Sequence, residues 1–182
     1  MYIHCKLGQA SAWAPLFAAM GAEYPTVELP GHGKAPDWAP EQDYQSQALD
    51  LVLAKLSEPS HIVGHSFGAA VALRVAVERP DLVRSLTLIE PVFFKAAFEV
   101  DPSEKGAYFD QAAGFHAAMA DGNAPKAAQV FSDHWGGLPW ASMRSEQQDY
   151  IVKRIPLILA AEPSIVEDNA GIWPRLGDLT CQ

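Results

Sequence analysis

Ser66 stands at the centre of the run Ile62-Val63-Gly64-His65-Ser66-Phe67-Gly68-Ala69-Ala70-Val71-Ala72-Leu73. One glycine lies two residues before the serine and another two residues after it. A short apolar run feeds into it, and an Ala/Val/Leu-rich run leaves it and stops at Pro80. The pattern predicts a strand, a very sharp turn and a helix, with a hydroxyl at the tip. Side chains at 64 and 68 would collide where strand meets helix, so glycine suits both positions. The turn strains the serine backbone and pushes its hydroxyl out above the sheet. The Phe67 N–H then sits at the helix N-terminus, where the peptide dipoles favour negative charge. This is a nucleophile elbow with one oxyanion donor beside it. A serine that merely caps a helix is the plainer alternative, but capping asks for neither glycine.

A serine hydroxyl is a poor nucleophile at neutral pH unless a base takes its proton. The sequence offers six histidines: His4, His32, His61, His65, His116 and His134. His65 adjoins Ser66, and its side chain is expected to point away from the tip. His61 begins the strand. His116 and His134 fall in helical stretches, where packing or surface roles are expected and no spacing marks either as a base. Glu90 is the acid at the end of the strand that follows the serine helix. Ahead of Pro91 it reads as a helix cap or an anchor for the lid. Phe93, Phe94, Phe98, Tyr108, Phe109, Phe115, Trp135 and Trp140 suggest either helical core or an apolar pocket roof. Such a pocket suits a small apolar ester or acyl compound rather than a sugar or phosphate.

The elements that must position these groups follow from the chain in order. Tyr2–Cys5 reads as a short strand and the residues to Gln9 as a loop. Ser11 to Met20 reads as a helix, with Trp13, Phe17 and Met20 at core spacing. Pro25–Leu29 is a second strand, ended by the turn cluster Pro30-Gly31-His32-Gly33. Glu41–Leu56 is a helix by its four-residue apolar recurrence. The strand at 61–66 and the helix to Arg79 follow, and Ser85–Glu90 is a fourth strand. Strand and helix thus alternate over residues 1–91, the pattern of a parallel sheet covered by helices, an α/β fold. From Val92 to Gln182 no internal strand is predicted. Helices are expected at roughly 92–99, 104–120, 124–134 and 146–160, with a shorter one near 164–170. Ser145 and Gln148 have capping-box spacing. The division expected is a core at 1–91 and a helical lid at 92–182.

The 182 residues suffice for a sizeable core, and the 49% hydrophobic and 19% charged residues are ordinary for a globular protein. The net charge of −9 argues against nucleic-acid or anionic-membrane partners. No leader is expected, since Met1-Tyr2-Ile3-His4 has no basic region ahead of an apolar one. Cys5 and Cys181 form no metal or redox motif, so two free thiols, a cytoplasmic location and no cofactor or metal are expected.

The chain resembles the α/β-hydrolase fold family of the lid-bearing type, in motifs that run in order. His4-Cys5 followed by Ser11-Ala12-Trp13 resembles the segment after that family's third strand. Glu28-Leu29-Pro30-Gly31-His32-Gly33 resembles its loop after strand four, Gly64–Gly68 its elbow, and Leu88-Ile89-Glu90-Pro91 the end of its strand six. Cys5 stands where the family usually has glycine, and Glu28 where it usually has aspartate. The resemblance implies a serine hydrolase with Ser66 as nucleophile. It implies oxyanion donors at the Phe67 N–H and at the Lys6 N–H, two after His4. It also implies bracing roles for His4 and His32. Some members place the triad acid after strand six, which makes Glu90 a candidate orienter of a base. The acid and histidine that normally follow strands seven and eight have no counterpart, nor do strands one and two. The expectation is therefore a partial fold, strands three to six plus lid, with impaired turnover. A non-catalytic binding module is the competing expectation, in which the exposed edge at 85–90 invites self-association.

Overall fold

The computed structural model describes residues 1–181. Four parallel strands form one sheet: β1 (Tyr2–Ile3), β2 (Thr26–Val27), β3 (Ser60–His65) and β4 (Val83–Ile89), in the order β2-β1-β3-β4. Tyr2 pairs with both Thr26 and Val63, so β1 is flanked on each side. The chain winds one way from β1 to β2 and the other way from β3 to β4. Their divergence places a topological switch point at the carboxyl ends of β1 and β3, the usual ligand position in open α/β sheets. Both chemistry-bearing segments of the sequence leave the sheet there.

The helices of this half are α1 (Ala14–Met20), α2 (Tyr44–Leu53) and α3 (Phe67–Glu78). A 3₁₀ turn at Ala10–Trp13 opens the first, so the helix expected from Ser11 becomes α-helical only at Ala14. The expected start of α2 at Glu41 moves to Tyr44 because Asp43 caps it, accepting from the Ser46 N–H at 2.7 Å. α3 is buried on nearly every side, as its run of Ala and Val dictates. Tyr2, Trp13 and Phe17 form one apolar cluster, with the Tyr2 ring edge-on to both others. The outer backbone edge of β4 pairs with no other strand among the described residues.

The remaining helices are α4 (Phe94–Val100), α5 (Ser103–Ala120), α6 (Ala124–Trp135), α7 (Ser145–Arg154) and α8 (Pro156–Ile165). The single helix expected at 146–160 is two, broken ahead of Pro156, which cannot continue the hydrogen-bond ladder. The helix expected near 164–170 is instead the end of α8 and a turn. The capping box shifts by one: the Arg144 N–H donates to Gln147 Oε1, while Gln148 Nε2 donates to the Trp140 carbonyl. Among the described residues no helix is long and apolar enough to cross a membrane.

The chain divides into two compact units, Met1–Ala96 together with the segment from Ala160 on, and Ala97–Leu159. In the second unit α5 and α6 pack around Phe115, Ala118, Ala127 and Ala128. In the first, the closing segment carries Ile172, Leu176 and Leu179 onto Leu73 and Val77 of α3 and Leu86 and Leu88 of β4. Asp43 fastens that segment: it accepts from Asn169 Nδ2 at 3.0 Å and pairs with Arg74 at 3.3 Å. Burial pushes the Asp43 carboxyl up, but the bonds from Asn169, Ser46 and Arg74 outweigh it and hold its pKa below the usual aspartate value. A depressed carboxylate contributes stability above its unfolded pKa, about 4, and that contribution is lost as pH falls through the lower folded pKa. Urea midpoints are therefore expected to fall below about pH 4. In Asp43→Asn they should start lower at neutral pH and change less with acid; parallel curves for the two proteins would contradict this role.

Candidate active site

β3 ends at His65 and α3 begins at Phe67, so Ser66 alone makes the junction. Ser66 has φ 56 and ψ −119, a conformation that strains any residue with a Cβ. Its N–H donates to the Ile89 carbonyl of β4 at 2.9 Å, and its carbonyl accepts from Ala69 and Ala70 of the first helical turn. The two glycines make the turn fit. A Cβ on Gly64 would lie 2.4 Å from the Gly68 carbonyl oxygen. A Cβ on Gly68 would lie 2.4 Å from the Ile3 oxygen and 2.5 Å from the His4 oxygen. Gly68 therefore brings the end of β1 against the first turn of α3. Ser66 is half-buried and Phe67 buried. By position, the Phe67 N–H is the first of α3 and has no intrahelical acceptor.

At the same end of the sheet, the loop after β1 doubles back at Cys5-Lys6-Leu7-Gly8. The Gly8 N–H donates to the Cys5 carbonyl at 3.1 Å, and Leu7 takes φ 60. The Lys6 ammonium lies 3.6 Å from the centre of the Tyr44 ring and 4.6 Å from that of Phe67. Desolvation there lowers the Lys6 pKa well below the ordinary lysine value, partly countered by the Glu162 carboxylate. As an expected oxyanion donor, Lys6 needs only its backbone N–H. Its side-chain site was not legible, because Tyr44 and Phe67 are far from it in the chain. Burial raises the Cys5 thiol above its ordinary pKa, so it is an unreactive neighbour.

His4 and His32 are both buried, their rings 5.3 Å apart. His4 Nδ1 lies 2.7 Å from the Cys5 carbonyl and His32 Nδ1 lies 2.9 Å from the Pro30 carbonyl. The Leu29 N–H points at His4 Nε2 at 3.1 Å, and Glu28 Oε2 lies 3.0 Å from the same nitrogen. That atom serves one or the other according to the protonation of the ring. Burial raises the Glu28 carboxyl, yet His4 and the Ala10 N–H hold it below its usual value. His61 Nδ1 is 2.7 Å from Ser85 Oγ. His65 Nε2 is 3.5 Å from Glu90 Oε2, an exposed pair. His116 and His134 belong to the second unit, where they pack on Phe109, Phe115 and Trp135.

The structure thus brings Ser66, Phe67 and Lys6 to one end of the sheet and sets Glu90 beside His65. Each of the four histidines of the first unit is engaged by a partner other than Ser66. Among the described residues, no group of three or more His, Cys, Asp or Glu side chains converges as a metal would need.

The sequence model of the alpha/beta hydrolase family matches residues 3–176. The chain belongs to that family. An (E)-2-((N-methylformamido)methylene)succinate hydrolase from Acinetobacter baylyi is 31% identical over 96 residues, half of this chain and 36% of the relative. A pimeloyl-[acyl-carrier protein] methyl ester esterase from Neisseria meningitidis is 48% identical over 62 residues, 34% of this chain and 23% of the relative. The chain therefore matches about a third or less of the length of these curated relatives. Among solved structures, an alpha/beta hydrolase from Sphaerobacter thermophilus superposes with a TM-score of 0.63 at 15% identity, over 99% of this chain and 71% of that one. That likeness concerns the fold. The four-stranded parallel sheet with flanking helices is that of the alpha/beta hydrolases, as the ordered motifs implied.

Proposed function

We propose that the protein carries the site of a serine acyl hydrolase acting on a small carboxylic ester. Ser66 is the nucleophile, and the N–H groups of Phe67 and Lys6 receive the oxyanion. The observation that carries this is the strained Ser66 backbone between two glycines, at each of which an added Cβ would lie 2.4 Å from a backbone oxygen. Strain of that kind is held in place where it serves a function. A serine that merely caps a helix needs no positive φ, and Ser66 makes no side-chain capping bond. The Neisseria relative, named as a methyl ester esterase, supports the substrate class. The hydroxyl oxygen would attack the carbonyl carbon, the bond to the leaving alcohol would break, and water would release the acid.

Glu90 pairs with His65, whose place in β3 just before Ser66 fixes it. We assign that pair to the sheet end rather than to a relay. With the histidines of the first unit engaged elsewhere, these 182 residues should turn over slowly. Hydrolysis of p-nitrophenyl butyrate is expected at about 10³–10⁴ times the buffer rate at most, the remnant that oxyanion donors and binding supply alone. Ser66→Ala should change that remnant less than about tenfold, since nucleophile and base act as a unit. Fast turnover lost in Ser66→Ala would show that a base reaches the serine. Fast turnover kept in Ser66→Ala would remove Ser66 from the role.

A further inference from the structure

We propose that His32 is a positioning residue that sets the direction of the Lys6 N–H for the acyl oxyanion, an inference that rests on the acyl-hydrolase reading above. The geometry starts at the Pro30 carbonyl, which accepts from the Tyr44 hydroxyl at 2.9 Å and faces His32 Nδ1 at 2.9 Å. A carbonyl only accepts, so Nδ1 carries the ring proton and Nε2 presents a lone pair. The Leu7 N–H donates to that lone pair at 3.1 Å. Leu7 is the third residue of the turn closed by the Gly8 N–H on the Cys5 carbonyl, and it holds φ 60. Turns of this shape favour glycine there; here the buried imidazole holds leucine in place instead.

The consequence passes along the backbone. The Cys5 carbonyl and the Lys6 N–H share one trans peptide plane and point opposite ways. Gly8 and His4 Nδ1 bond that carbonyl, so they aim the Lys6 N–H away from it. If Leu7 leaves its conformation, the Gly8 bond goes and the plane can turn. His32 thus acts on Lys6 through Leu7 and the turn, without touching the reacting atoms.

The test uses the full chain carrying Ser66→Cys, whose thiol does not depend on a strong base. A thiolate attacks the carbonyl of p-nitrophenyl acetate and expels nitrophenolate, passing through an oxyanion. Its alkylation by iodoacetamide displaces iodide and forms none. Adding His32→Phe should slow acylation about 10- to 100-fold and leave alkylation within about twofold, since the N–H donors act only on the oxyanion. His32→Gln, whose carbonyl can reach the Leu7 N–H, should restore most of the rate. Nitrogen NMR of the unsubstituted protein should show His32 protonated at Nδ1 alone and a slowly exchanging Leu7 amide. Unchanged acylation, equal loss in both reactions, or a proton on Nε2 instead of Nδ1 would overturn the proposal. If Ser66→Cys itself reacts no faster than Cys181, the hydrolase reading fails. A Leu7 amide that exchanges faster in His32→Phe would still uphold the clamp on the loop.

Discussion

Gly68→Ala is expected to destabilise the first unit by about 3 kcal/mol or more, at or beyond the upper end of ordinary overpacking. The added methyl would meet the Ile3 and His4 carbonyl oxygens at 2.4 and 2.5 Å and the Ile3 carbonyl carbon at 2.8 Å. All three are backbone atoms. They cannot swing aside as a side-chain end would, because β1 is paired on both edges. Relief requires α3 to withdraw from the sheet, and α3 is the most completely buried helix of this unit. Position 66 would move with it, so reactivity there should fall even in chains that remain folded. Urea unfolding followed by tryptophan fluorescence reads the first effect. A midpoint within about 1 kcal/mol of the unsubstituted protein, small for a buried-site substitution, would show that the junction is looser than these contacts require.

The other large effect is expected at position 66. A thiol placed there by Ser66→Cys stands at the N-terminus of a twelve-residue helix, where the dipole favours the thiolate. Its pKa should fall below the ordinary thiol value, about 8.5. The attacked ester oxygen would also meet the Phe67 and Lys6 N–H groups, worth about 10²–10³ in rate for one donor of this kind. Acylation by p-nitrophenyl acetate should therefore outpace that of Cys181 by about 100-fold or more, the contribution of one such donor. Both native cysteines are free. Cys5 should not interfere, because burial raises its pKa.

Much of this arrangement was legible in the sequence, for reasons that can be named. The β3–α3 junction declares itself because only glycine satisfies the space at 64 and 68, and because the apolar period changes from strand to helix across Ser66. The strand–helix alternation over the first half follows from the same change of period. Element ends were less legible. β1 and β2 are two residues each, since pairing with neighbours, not local preference, sets how far a strand runs. The break ahead of Pro156 was written in the proline and outweighed by the apolar run around it. The closing segment, for which no element is predicted beyond residue 170, folds as a 3₁₀ turn at Trp173–Asp178, with Leu176 and Leu179 in the apolar cluster against α3. Nothing local signals that; the partners, Leu73 and Val77, lie about a hundred residues earlier. The clamp of His32 on Leu7 was hidden for the same reason. The Pro-Gly-His-Gly motif marks a turn, but only the folded loops show which N–H its imidazole meets.

The most direct test of the central claim is the burst of nitrophenolate when the Ser66→Cys chain meets excess p-nitrophenyl acetate, with the acetyl group located by peptide mass spectrometry. The account predicts one equivalent released rapidly per chain and the acetyl group on residue 66. Acetylation spread over Cys181 and lysines at equal rates, with residue 66 no faster than the rest, would contradict it.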